Sequence, residues 1–427
     1  MQKLEKGLEV IRELSASTSW PGAVTPMPAD ANGEEGFWPA GFSSGAVNAS
    51  IRYQRNDLMI LLADVPSSTA AVFTTNLCCA APVMVSKANL EKTSGKARAV
   101  ICNSGNANAA TGEKGMDDAQ AMADAVASDF GLKPEEVVVA STGVIGQRLP
   151  MEKVIAGISS LPLVLQRESC LDAAGAIMTT DTFPKFFTLD VELSGGKCRL
   201  GGIAKGSGMI SPNMATMLAF LTTDAKISPD LLMQALEQAN RSSFNAITVD
   251  GDTSTNDMAM IMASGFGLEI LPETEDYLLF TDALEALMTF LSKLIVIDGE
   301  GATKLVGITV EGALDHREAE LAARAIAQSS LVKTAIHGED ANWGRIIAAA
   351  GRSGASFRQE ELELHFNGLC ILKPGFIAEY SEEDAAKVMS EKSYGINLKI
   401  GNGPGKATIW TCDLSKEYVE INGSYRS

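Results

Sequence analysis

Apolar and polar positions along the 427-residue chain switch repeatedly between two periods. Compact apolar runs of strand length occur at 58–63, 99–102, 137–140 and 217–221. Residues 361–366 and 407–413 alternate as half-buried strands do. Helical spacing predicts helices over 116–130, 277–294 and 316–328, the first stopped by Gly131. Another helix starts at Ser228-Pro229-Asp230, with Ser as N-cap and Pro at the first helical position. Residues 2–15 read as a short amphipathic helix. Residues 16–50, rich in Pro, Gly, Ser and Trp, read as a long irregular lead-in. Strands alternating with helices define an α/β or α+β chain. A weak lobe boundary falls near 303–310, where a Gly-rich loop precedes a new strand. No internal repeat is visible.

Composition changes this picture by exclusion. The chain has 35 Lys+Arg against 53 Asp+Glu, a net charge of -18. Residues 1–215 carry 18 basic and 22 acidic groups, and residues 216–427 carry 17 and 31. Neither half offers the basic footprint that nucleic acid requires. An anionic substrate would need a locally positive pocket. No apolar run approaches a membrane span. The first residues lack the apolar core of a signal peptide, so the chain reads as cytoplasmic or as a mature form. The 7 cysteines are scattered without a CxxC pair, and the 3 histidines show no HxxxH or HExxH spacing. A disulfide framework, a zinc site and a histidine base are therefore disfavoured.

Chemistry concentrates in Lys205-Gly-Ser-Gly-Met-Ile-Ser-Pro-Asn-Met-Ala-Thr-Met-Leu-Ala-Phe-Leu-Thr-Thr-Asp224. A Gly/Ser/Pro/Asn-rich loop runs into an apolar strand, and Ala215-Thr216 sits at the junction. A hydroxyl there can attack the preceding carbonyl, shift the acyl group from nitrogen to oxygen and release a new N-terminus by hydrolysis. The product is a threonine whose free α-amine, with an ordinary pKa of about 7.7–8.0, can serve as its own general base. An Ala-Thr dipeptide alone is far more often an ordinary strand start.

The surrounding segments decide between these readings. The chain resembles the ornithine acetyltransferase family, the bifunctional glutamate N-acetyltransferases/amino-acid acetyltransferases of arginine biosynthesis. The resemblance rests on Met214-Ala-Thr-Met-Leu-Ala219 and on Ala71-Val-Phe-Thr-Thr-Asn76, Asn103-Ser-Gly-Asn-Ala-Asn108, Ser141-Thr-Gly-Val-Ile-Gly146 and Thr179-Thr-Asp-Thr-Phe-Pro-Lys185. It continues through Val249-Asp-Gly-Asp-Thr-Ser-Thr-Asn-Asp257, Gly338-Glu-Asp-Ala-Asn-Trp-Gly-Arg345 and the C-terminal segment. These occur in family order from about residue 35 to the end. The first 20 or so residues match less clearly.

The resemblance implies an α/β fold of the αββα type, two packed sheets between helices, with a smaller C-terminal lobe. It implies cleavage between Ala215 and Thr216 into chains 1–215 and 216–427, assembled as an α2β2 heterotetramer. Thr216 matches the acetyl-accepting nucleophile, and Thr142 and Gly143 match the oxyanion pair. Thr179, Lys205, Thr216, Glu300, Asn422 and Ser427 match the substrate-binding positions. Lys205 suits a carboxylate and Glu300 a substrate ammonium. The implied substrates are N-acetylornithine and glutamate, with no resident cofactor and no metal. Acetyl-CoA as a second acetyl donor is left open by the sequence. Near the end the family more often has Ala and an acid after Asn422 and Thr as the last residue; here Gly423, Ser424 and Ser427 stand instead.

Two rival functions share some of these features. A self-processing aminopeptidase would resolve the acyl-enzyme with water, but tends to use serine where this chain has Thr216. A non-catalytic binding protein would not need Thr216, Thr142, Gly143 and Lys205 intact. Two segments suggest other roles. Asp250-Gly-Asp-Thr-Ser-Thr-Asn-Asp257 lacks calcium-loop spacing and reads as a capped turn into a helix. Gly401-Asn-Gly-Pro-Gly405 lacks the context of a phosphate loop and reads as a hairpin turn.

Overall fold

A computed structural model describes residues 2–27, 36–52, 54–211 and 217–424. Its strands, in chain order, are β1 (Val24–Pro26), β2 (Phe42–Val47), β3 (Leu58–Phe73), β4 (Lys96–Asn103), β5 (Val137–Ser141), β6 (Lys185–Leu193), β7 (Gly196–Lys205) and β8 (Leu218–Thr223). They continue as β9 (Ile247–Thr248), β10 (Met258–Ala263), β11 (Leu305–Ala313), β12 (Glu363–Phe366), β13 (Leu369–Leu372), β14 (Ser393–Lys399) and β15 (Gly405–Cys412). The described residues form two compact units. The first draws on Met1–Gly206, Asn213–Asn245 and Thr253–Ile295, and the second on Ser207–Pro212, Ala246–Asp252 and Val296–Ser427.

The first unit is built on one sheet with the order β1-β6-β7-β8-β10-β3-β4-β5, and β2 pairs with β3. Every residue of β8 and β10 is buried. Their unbroken apolar runs suit parallel neighbours covered on both faces, and the two strands do pair in parallel. Helix Gly112–Phe130 turns Ala119, Met122, Ala123 and Val126 onto Leu58, Ile60, Ile101, Val137 and Val139. It stops at Gly131, whose φ of 66° is the left-handed conformation that glycine adopts at low cost. The long helix Glu275–Ile297 contributes Phe290, whose ring centroid lies 4.1 Å from that of Phe187 in β6.

The second unit holds a sheet of order β13-β12-β14-β11-β15-β9. Helix His316–Ala327 is capped by the Asp315 carboxylate and buries Ala319, Ala322, Ala323, Ile326 and Ala327. The four alanines among these let the helix pack close to β11 and β15. Among the described residues no helix is long and apolar enough to cross a membrane. Nor does any group of three or more His, Cys, Asp or Glu have the arrangement of a metal site.

The α/β class expected from the sequence is the class observed, and the strands and helices named there recur with shifts of a few residues at their ends, except that the strand expected at 58–63 runs on to Phe73. Three local readings are corrected. The segment after Asp257 enters β10, not a helix, because Met258-Ala-Met-Ile-Met-Ala263 is buried throughout and pairs with β8 and β3. Gly401–Gly405 is not a hairpin turn: β14 and β15 lie on opposite sides of β11. The 16–50 lead-in contains β1 and β2, short strands whose small and polar residues hid their pairing.

The crossing over the end of β11 requires glycine. Gly312 has φ +78°, and a Cβ there would stand 2.1 Å from the Gly401 carbonyl oxygen. Gly312→Ala is expected to destabilise the protein by at least about 1–3 kcal/mol, the cost of a strained backbone position, before the clash is counted. Urea unfolding checks this; an unchanged midpoint would contradict it.

Candidate active site

The first unit converges on the end of β7. Lys205 is its last residue and lies opposite Leu218, the first residue of β8. The side chain is almost fully buried. Its Nζ donates to Thr179 Oγ1 at 2.9 Å, lies 3.4 Å from Thr142 Oγ1 and stands 4.0 Å from Asp181 Oδ2. Three of the residues singled out in the sequence therefore meet around one ammonium group.

Asp181 holds this arrangement together. Its Oδ1 accepts from Lys185 Nζ at 2.7 Å and from the Gly206 amide at 2.8 Å, and its Oδ2 accepts from the Thr179 amide at 2.9 Å. The carboxylate is buried, which by itself would raise its pKa. The charges of Lys185 and Lys205 and these hydrogen bonds outweigh burial and hold it well below the usual range. Two ammonium groups share the Asp181 carboxylate, a local concentration of positive charge within an acidic chain.

Thr142 and Gly143 follow β5 on a turn framed by buried asparagines. Asn103 Oδ1 accepts from Ser141 Oγ at 2.6 Å, and its backbone carbonyl accepts the Thr142 amide at 2.9 Å. Asn256 Nδ2 donates to the carbonyls of Ala107 and Ser141 at 2.6 and 2.9 Å. Gly143 adopts φ +135°, and a Cβ there would stand 2.3 Å from the Gly105 carbonyl carbon. Only glycine fits. Among the described residues the Gly143 amide has no hydrogen-bond acceptor. A hydroxyl and an adjacent uncommitted N–H are the parts of an oxyanion site.

In the second unit, Glu300 and Asn422 meet. Asn422 Nδ2, on helix Lys416–Gly423, donates to Glu300 Oε2 at 2.7 Å. Gly208 makes room for this carboxylate: a Cβ there would lie 2.4 Å from its carbon. Nearby, Asp250 accepts from the amides of Met209 and Ile210 at 2.6 and 2.9 Å and from the Tyr418 hydroxyl at 3.3 Å. Burial pushes both the Asp250 carboxyl and the Tyr418 phenol up. Ala215, Thr216 and Ser427 lie outside the described residues.

The sequence model of the ArgJ family matches residues 43–427. The chain belongs to the ArgJ family. It is 65% identical over 425 residues to the arginine biosynthesis bifunctional protein ArgJ of Chlorobium chlorochromatii, covering 99% of each chain. It is 61% identical to the protein of the same name from Chlorobaculum tepidum, covering 95% of this chain and 100% of that one. Among solved structures it is similar to a Mycobacterium tuberculosis ornithine acetyltransferase complexed with ornithine, at 36% identity and TM-score 0.40, covering 44% of this chain and 98% of that one.

Within this ArgJ-family site, sequence reasoning missed Asp181, Lys185 and Asn256. All three lie in segments that carried the resemblance. Asp181 and Lys185 are spaced i, i+4, a signal for pairing, but no pattern marked them as buried. At Gly423, a methyl group would meet nothing within 4 Å among the described residues, so crowding by them does not account for the departure from the family's alanine.

Asp181→Asn leaves two buried ammonium groups short of their counter-charge. It should cost about 3–5 kcal/mol near neutral pH. Because the folded pKa is lowered, the stabilisation is present above the ordinary value of 3.8 and lost as pH falls through the folded value. The gap between variant and wild type in denaturant melts should therefore shrink below pH 3.8. A gap that stays constant into acid would contradict the role given to Asp181.

Proposed function

We propose that this ArgJ-family enzyme moves an acetyl group from N2-acetyl-L-ornithine to L-glutamate by a ping-pong route through Thr216, after cutting itself between Ala215 and Thr216. The observation that carries the reading is the meeting of Lys205, Thr179, Thr142 and Gly143 at the start of β8, the strand that follows Thr216 in sequence. The relatives bearing the ArgJ name over nearly their full length support the same pathway.

The new α-amine takes the proton from the Thr216 hydroxyl, which attacks the acetyl carbonyl of N-acetylornithine. Charge develops on the carbonyl oxygen, and the Thr142 hydroxyl and Gly143 amide donate to it. Each such donor contributes roughly 2.7–4 kcal/mol in comparable sites. Ornithine leaves as the amine. Glutamate then attacks the acetyl-threonine ester, so an amide is remade from an ester without nucleotide consumption.

Lys205 receives a substrate carboxylate beside Thr179, while Glu300, Asn422 and Ser427 take the polar groups of the amino acid. The reading needs no resident cofactor and leaves open whether acetyl-CoA serves as a second acetyl donor. Cleaved chains 1–215 and 216–427 assemble as an α2β2 heterotetramer in the cytoplasm.

Denaturing mass spectrometry should show two chains split after Ala215, and Thr216→Ala should abolish both the cut and acetyl transfer. An intact 45.0 kDa chain that transfers acetyl groups would contradict the mechanism. Labelled N-acetylornithine with glutamate should yield N-acetylglutamate, and a parallel reaction with acetyl-CoA decides the second donor. Hydrolysis of amino-acid amides without transfer would favour a peptidase.

Lys205→Met should raise KM for N-acetylornithine and glutamate by at least about tenfold, since a charged hydrogen bond contributes roughly 1.5–3 kcal/mol. An unchanged KM for both would remove Lys205 from carboxylate binding.

A further inference from the structure

Asp257 has no place in the scheme above, yet its setting is unusual. It immediately precedes β10 and its side chain is fully buried. Its Oδ1 accepts the Met217 amide at 3.1 Å, and the Met258 amide donates to the Met217 carbonyl at 3.2 Å. The carboxyl group is thus fastened to the residue that follows Thr216. Among the described residues its buried Oδ2 has no hydrogen-bond partner. The neighbouring Thr74 hydroxyl commits its proton to the Ser254 carbonyl at 2.6 Å. A buried polar atom without a partner is costly and calls for a physical reason. Burial drives the Asp257 pKa well above the carboxylate range, and the Met217 hydrogen bond, the Lys205 charge and the nearby Thr74 hydroxyl only partly offset it. Burial thus biases the group toward the neutral acid.

Covalent geometry supplies the reason. The nitrogen of Thr216 is three bonds from the Met217 nitrogen, which confines the two to within about 4 Å whatever the backbone angles. A proton-bearing carboxyl that already holds the Met217 amide is within reach of the one nitrogen that must leave during self-cleavage.

We propose that Asp257 is the proton donor of the self-cleavage, its second oxygen reserved for the α-nitrogen released at Thr216. This rests on the Thr216 reading given under the proposed function. In the shift, the bond from Thr216 Oγ to the Ala215 carbonyl carbon forms and the bond from that carbon to the Thr216 nitrogen breaks. The nitrogen, already carrying one hydrogen, gains the hydroxyl proton and the Asp257 proton. It becomes an ammonium group facing an Asp257 carboxylate. Water then hydrolyses the ester, giving the Ala215 carboxylate, a proton and the free Thr216 hydroxyl. A buried carboxyl also takes its proton back readily, which leaves the neutral amine that acetyl transfer uses as its base.

The test compares freshly folded wild type, Asp257→Asn, Asp257→Ala and Thr216→Ala, following the cut by mass spectrometry and folding by thermal melts. Asparagine keeps an oxygen for the Met217 amide and removes only the acid. Asp257→Asn should fold yet cut at least about 100-fold more slowly, the usual contribution of a general acid. Added formate should speed the cut in Asp257→Ala, an effect that a purely structural role would not produce. Cutting by folded Asp257→Asn at the wild-type rate overturns the proposal, as does an alanine variant that formate leaves unmoved. If the asparagine variant does not fold, Asp257→Glu decides. Cutting by the glutamate variant supports the donor role, and a folded but uncut glutamate chain overturns it. Cutting by Thr216→Ala would instead remove the reading on which the proposal rests.

Discussion

A buried ammonium at the end of a strand is the constraint on which the first unit is organised. Lys205 closes β7 opposite the first residue of β8. An ion there is tolerable only if its charge is compensated and its protons find acceptors. Asp181 supplies the charge and, by also accepting the Thr179 and Gly206 amides, fixes the backbone on both sides of the cluster. Lys185, the first residue of β6, holds the same carboxylate from within the sheet. The cluster sets two buried ammonium groups against the Asp181 carboxylate inside a chain of net charge -18.

The asparagine frame performs the complementary task. Asn103 and Asn256 satisfy carbonyls and a hydroxyl around Ser141 and Ala107, so the turn beyond β5 is held by hydrogen bonds that, among the described residues, leave the Gly143 amide uncommitted. The close approach of Gly143 to Gly105 shows how little freedom the turn has. Preorganised donors lose little on meeting a developing charge, which is what gives an oxyanion site its effect. In the second unit, Gly208 serves Glu300 in a similar way, by giving up a side chain so that the carboxylate can sit against the backbone.

Much of this was legible in the sequence. Apolar runs and capping residues marked the strands and helices because burial and helix ends leave local signatures. Thr142, Thr179 and Lys205 came from motif resemblance, and the structure brings them together. Asp181 was harder to see, because its role depends on two lysines, one of which meets it only through strand pairing. Asp257 was read as part of a turn before a helix, since Asp, Ser, Thr and Asn favour both caps and strand entries. Parallel pairing of β10 with β8 decided the matter, and such long-range pairing leaves no local trace. The segment 401–405 misled for the same reason: its glycines mark a tight path, but not which strand lies beneath it.

The central claim is that the acetyl group rests on Thr216 between donor and acceptor. Cleaved enzyme incubated with labelled N-acetylornithine and no glutamate should be digested and its N-terminal β-chain peptide weighed. The account predicts one acetyl group on the peptide that begins at Thr216, lost when glutamate is added and recovered as N-acetylglutamate. An unmodified peptide under conditions where transfer proceeds, or an acetyl group on another residue that chases into glutamate, would contradict it.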